Sequence, residues 1–224
     1  MASSIIESMF PKILAATLLF SLRAMAAEAQ LPTLRTEPKS GGSIFFVKNT
    51  SSVPLTAFLI ELVGYPGSSY ALWQDDVDGE PLAPGKERKI EVQNMTVGAV
   101  PDYVKVQAAI YADGSTAGLP DRIEKLLTRR RALVEAVQNL LHRLELAQQA
   151  KIERSNLAAT LRQAAEFMVV PPGTDKMSNY ALSQTVSRAL FLETADFVDV
   201  HMMDETKARL LAKEKAFKGS KPAI

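Results

Sequence analysis

The spacing of apolar residues changes once along this chain, near Gly118. Before that point apolar residues run in short blocks or alternate with polar ones, as in strands. After it they recur every three or four positions, as in helices. Strands are expected over residues 43–49, 55–63, 70–73, 86–93 and 104–112, with turns between them at Pro, Gly, Asp and Ser clusters. The run 55–63 is apolar on both faces. In the last strand Val104, Val106, Ala108 and Ile110 alternate with Lys105, Gln107, Ala109 and Tyr111, which predicts one face for each set. Asp113-Gly114 supplies a turn, and Pro120 fits the first turn of a helix because its missing N–H would be unpaired there.

The helix opens with Asp121 and Glu124 near its positive end. Ile123, Leu127, Val134, Val137, Leu141 and Leu144 form its stripe at four-three spacing, with Arg130 as the polar exception. This helix either continues to residue 168, since no Gly or Pro interrupts it, or yields to a second helix capped by Ser155-Asn156. Pro171-Pro172-Gly173 ends the run. Residues 178–217 read as helix, although Phe197-Val198-Asp199-Val200-His201 also suits a strand. The stripe packs on that later helix, or on another molecule.

Composition changes the picture mainly at the N-terminus. Residues 13–22 are an apolar run of signal-peptide length after Lys12. Small-x-small patterns at Ala24–Ala26 and Ala27–Ala29 offer cleavage sites, Ala29 being favoured and Ala26 second. Glu7 and Arg23 depart from the usual pattern, and an uncleaved anchor or amphipathic helix is the other reading. The chain has no cysteine, which removes disulfides, thiolate metal sites and cysteine nucleophiles. An exported, cysteine-free chain suits a bacterial periplasm or exterior. Asn49-Thr50-Ser51 and Asn94-Met95-Thr96 match the glycosylation pattern and carry no weight there. The net charge is +1, so nothing points to nucleic acid. Residues 30–119 hold seven basic and ten acidic residues, and residues 120–224 seventeen and thirteen.

Val47-Lys48-Asn49-Thr50 before Leu55-Thr56-Ala57-Phe58, and Leu82-x-Pro84-Gly85 before the 86–93 strand, resemble small immunoglobulin-like sandwich modules of bacterial exported proteins. In such modules the Asn closes the first strand and the L-x-P-G turn precedes a later one. Joined to the Ala-Ile-Tyr-Ala-Asp-Gly-Ser turn and a long helix, the pattern looks like uncharacterised exported bacterial proteins. That resemblance implies a fold and no activity, cofactor or site residue.

Candidate chemistry is sparse. His201, Asp204 and Glu205 offer three metal ligands, but the only other histidine, His142, is remote in sequence, and a polar helix face accounts for them. Asp75-Asp76-Val77-Asp78-Gly79-Glu80 looks like part of a calcium loop without the remaining ligands, and reads as a solvated turn. Gly114-Ser115-Thr116-Ala117-Gly118 is a turn of small residues. No G-x-S-x-G, P-loop or G-x-G-x-x-G is present. Arg129-Arg130-Arg131 point about 100° apart on a helix. With Arg122 and Lys125 they form either a basic patch for an acidic partner or a solvated face with an Asp121–Lys125 pair.

The expected architecture is α+β. It comprises a signal peptide (1–29), an exposed leader (30–42), an immunoglobulin-like antiparallel β-sandwich (43–117), long α-helices forming a hairpin (118–218) and a flexible tail (219–224). No catalytic, cofactor or metal residue is assigned. The expected function is a non-catalytic interaction or structural protein of the bacterial cell envelope, periplasmic or secreted. It would bind a protein partner or itself through the helices, with membrane contact only through an uncleaved signal segment. An exported hydrolase with a carboxylate site and a coiled-coil spacer are the alternatives.

Overall fold

The computed structural model describes residues 29–93 and 97–224. The signal-peptide reading and the Asn94 sequon lie outside the described residues, apart from Ala29. Among the described residues seven strands form two antiparallel sheets, and four α-helices follow. The first sheet is β1 (Thr33–Lys39), β2 (Gly42–Lys48) and β5 (Glu87–Gln93), in the order β1-β2-β5. The second is β4 (Ala71–Asp75), β3 (Leu55–Leu62), β6 (Val104–Tyr111) and β7 (Thr116–Gly118), in that order.

β3 explains why its sequence is apolar on both faces. Phe58, Ile60 and Leu62 enter a core shared with Phe45 and Val47 of the first sheet. Ala57 and Leu59 face the other way, onto Leu126 of the first helix. Every residue of β3 is buried.

β6 corrects the expected alternation. Leu59 pairs with Ala108 and Ile60 with Val106, so Gln107 is an extra residue opposite the junction. Such a bulge reverses which side chains face which way. Val104 and Val106 therefore join the core between the sheets, whereas Ala108 and Ile110 face the helix. The bulge also anchors the next segment, since the Leu119 N–H donates to the Gln107 carbonyl (2.9 Å). Gly118, at φ +105°, passes so close that a Cβ would lie 2.2 Å from that oxygen.

Residues 30–42 are not a leader: seven of them form β1, paired along its length with β2. The strand escapes a hydrophobic pattern because it is an edge with exposed, charged side chains, which guards it against further pairing.

The helical region is four helices rather than a hairpin: α1 (Pro120–Gln149), α2 (Arg154–Glu166), α3 (Asn179–Val200) and α4 (Met203–Lys218). They share one core of Val137, Leu140, Leu144, Leu161, Phe191 and Val198, among others. The stripe of α1 thus packs inside its own chain. Its buried line is Leu126, Arg130, Val137, Leu140, Leu144 and Ala147, with Leu133 half-buried among them, beside the expected one and sharing three positions with it. Polar contacts between Gln148 and Asp204, Glu145 and Lys207, and Gln138 and Glu214 run α4 antiparallel along α1. Residues 197–200 are helix, and a break at His201-Met202 starts α4. Glu153, not Ser155-Asn156, precedes α2. Among the described residues no helix is long and apolar enough to cross a membrane.

Candidate functional site

The site of most concentrated chemistry is the joint where α1 crosses the second sheet. Two features of the fold prepare it. Thr56 is the extra residue of a register shift in β3, between the Leu55–Tyr111 and Ala57–Ile110 pairs. Its hydroxyl donates to the Ile110 carbonyl (3.0 Å). Asp75 ends β4 beside it, and the Asp76 N–H donates to the Thr56 carbonyl (2.7 Å).

Arg130 enters this joint with its side chain 0 % exposed. Its Nε and Nη2 donate to the two oxygens of Asp75 at 2.8 and 3.1 Å. Nη2 also donates to the Thr56 hydroxyl, and Nη1 to the Lys221 carbonyl, each at 3.1 Å. A buried guanidinium is tolerated only when its donors are met and its charge is paired. Both conditions hold here. The polar exception in the apolar stripe is thus a buried member of it. The tail expected to be flexible supplies one acceptor, and Lys221 also packs against Gly114. Burial pushes the Asp75 carboxyl above its ordinary value, against the pull of the Arg130 hydrogen bond and charge.

Arg129 and Arg131 diverge from it, as the helical geometry requires. Arg131 pairs with the exposed Glu124. Arg129 lies over the ring of Trp73, 4.8 Å from its centre. Burial pushes the Arg129 guanidinium below its ordinary value, and the charge of Asp75 partly restores it. Arg122 bonds Glu61 and Asp121, each at 2.6 Å. Lys125 donates to Asn179 (2.9 Å), so the expected Asp121–Lys125 pair does not form. The five basic residues therefore form no single patch.

Arg129, Arg130 and Trp73 line a cavity of about 200 Å³ between β4, α1, α3 and the end of α4. Leu126, Leu133, Val186, Leu190 and Phe217 give it apolar walls, and Asp75, Glu193 and Lys213 complete its charges. Lys213 pairs with Asp78, and Glu193 with Arg209.

The other sequence candidates are dispersed. Three of the four acids in the run 75–80 are spent on cations: Asp75 on Arg130, Asp76 on Arg88 and Asp78 on Lys213. His201 Nδ1 lies 3.4 Å from Glu205, while Asp204 accepts from Gln148. Among the described residues no three His or carboxylate groups converge as a metal site would need. The Asn49 amide is buried and donates to the Val53 and Leu82 carbonyls, both at 2.8 Å, locking the L-x-P-G turn to the end of β2.

A second feature lies at the far end of the helices, where the α1–α2 and α3–α4 turns meet. Val200, the last residue of α3, and Met202 in the α3–α4 turn are 72 % and 62 % exposed, and Leu146 in the last turn of α1 and Ile152 in the α1–α2 turn are exposed too. Ile152, Met202 and Met203 line an open groove of about 450 Å³, rimmed by Lys151, Glu153, Arg154 and Asp204. Sequence reading missed it because its residues sit either side of two helix breaks that no Gly or Pro marks. In comparisons with known proteins the chain matches no family model, and neither curated proteins nor solved structures give a match.

Proposed function

We propose that this chain is a non-catalytic, exported interaction protein of the bacterial cell envelope. In this reading the two sheets form an immunoglobulin-like sandwich, and the tip of the helical region docks a protein partner. The sandwich reading is supported by the core common to the two sheets and by the Asn49–Leu82 lock. Export is supported by the signal-like N-terminus and by a cysteine-free chain with its own large cores.

The observation that carries the docking reading is the groove in which the exposed Ile152 and Met202 meet, with Leu146 and Val200 exposed at the same end of the bundle. Exposed apolar residues clustered within a polar rim are typical of interaction surfaces. Methionine side chains adapt to the shape of what they meet. The rim carries both signs, Lys151 and Arg154 beside Glu153 and Asp204. That mixture suits a protein rather than an anionic lipid surface, which favours basic residues alone.

The test is a crosslinking capture from envelope extract with the tagged chain and its Val200→Asp/Met202→Asp variant. Both changes are at exposed positions, so melting should shift little. One stoichiometric partner, held by the parent and lost by the variant, is the expected result. Equal capture by both forms overturns the docking reading. So does a concentration-dependent dimer of the parent that the variant abolishes, which would make a second copy the occupant.

A further inference from the structure

We infer that the cavity between β4, α1, α3 and the end of α4 binds a small carboxylate with an apolar body, its carboxylate taken by Arg129. The charge balance of the walls carries this. Arg130 occupies both oxygens of Asp75. Lys213 is matched by Asp78 from outside the cavity, and Glu193 by Arg209. Arg129 alone makes no hydrogen bond or salt bridge among the described residues; it lies over the face of Trp73 and feels the charge of Asp75, whose two oxygens Arg130 already holds. A half-buried cation that only shares a counter-ion with another guanidinium, and whose N–H groups bond nothing, is under-compensated, and an incoming anion relieves it.

The geometry of Arg129 suits that ligand. A guanidinium lying over an aromatic face spends no N–H group on that contact, so its donors stay free to grip a carboxylate with two hydrogen bonds. Leu126, Leu133, Val186, Leu190 and Phe217 give the rest of the molecule an apolar wall, while the other polar liners are already engaged: Gln74 with Asp76, Thr185 with the Ala181 carbonyl, Glu193 with Arg209 and Lys213 with Asp78. A dry apolar cavity of roughly 150 Å³ accepts a benzene ring. At about 200 Å³ this one has room for a ring or branched chain and a carboxylate head. Inorganic anions would use the charge and leave the walls unfilled.

Trp73 is the only tryptophan in the chain, so its fluorescence reports on the cavity directly. Phenylacetate is titrated into the full chain and followed by fluorescence and by calorimetry. Beside it run 2-phenylethanol, which keeps the ring and loses the charge, and inorganic phosphate, which keeps charge and loses the ring. The expected result is saturable phenylacetate binding, weakened at least about tenfold for either control. Arg129→Met, which keeps the stem and removes the charge, should weaken phenylacetate by a similar factor while melting no lower than the parent. Ala189→Phe, at the exposed mouth of the cavity, should block binding without touching Arg129. Equal binding of phenylacetate and 2-phenylethanol, preference for phosphate, unchanged affinity in Arg129→Met, or no saturable signal would each overturn the inference.

Discussion

Two regions of α1 meet the rest of the molecule in opposite ways. In its first half, about three turns in, a buried arginine is held by a carboxylate, a hydroxyl and a carbonyl from three other parts of the chain. At its far end, apolar side chains stand in solvent around a turn of plain helix formers. Hydrophobic burial is not directional and would let a helix rotate or slide on a sheet. Charged hydrogen bonds are directional, and the Arg130 network permits one orientation of α1 over β3 and β4. The joint therefore spends polar chemistry on fixing geometry, whereas the tip leaves apolar surface uncommitted.

The largest effect should come from breaking the joint. Arg130→Ala removes the cation, leaves Asp75 and Thr56 without their donor and frees the tail, so it should cost about 3–5 kcal/mol. Denaturant unfolding followed at Trp73 measures it. Val200→Ser at the tip should stay within about 0.5 kcal/mol of the parent. Similar losses from the two variants would erase the contrast. Replacing both charged partners, as Arg130→Met with Asp75→Leu, should cost much less than Arg130→Ala, since no charge is then stranded.

Changing Lys151 should move stability the other way. α1 ends in a motif where the Ile152 N–H reaches the Ala147 carbonyl (2.9 Å) and the Lys151 N–H reaches Gln148 (3.2 Å). Lys151 holds the left-handed position of that motif, at φ 53°, which favours glycine. Lys151→Gly should raise stability by about 1 kcal/mol, visible as a higher midpoint in the same unfolding experiment. A loss would mean that the lysine stem is packing at the tip, and that the tip is less open than its exposure suggests.

The same residue shows why part of the fold was legible in the sequence and part was not. The five strands with apolar faces are readable because burial imposes a pattern. The end of α1 is not, because a lysine stands where the motif favours glycine. The start of α4 left one signal, Asp204-Glu205, acidic residues in a first helical turn, with Glu205 accepting from the Met202 N–H (3.0 Å). β1 is polar because it is an edge, and the β6 bulge is a property of pairing that no single strand displays. Arg130 was visible as an interruption in a stripe. Its meaning required Asp75 and Thr56, which lie 55 and 74 positions away. The cavity and the tip are made by helices returning on one another, and local spacing carries no trace of either.

The smallest effect should come from an ion pair that resembles the joint in composition and differs in setting. Glu91 on β5 accepts from Lys39 of β1 and from Lys89 of its own strand, at the exposed surface of the first sheet. Those two ammonium groups hold its carboxyl down to about 2, from an ordinary 4.5. The folded state thus favours the charged form. The stabilisation is fully present above about pH 4.5 and is lost as pH falls towards 2. Solvent and salt screen such a pair, so the gain is small even where it is complete. Thermal unfolding of the parent and of Glu91→Gln between pH 7 and pH 2 should show a small gap that closes across that window and narrows with added salt. A gap that persists at the acid end would mean that the side chain contributes by packing rather than by charge. A gap as large as that of Arg130→Ala would remove the distinction between a buried network and a surface pair on which the comparison rests.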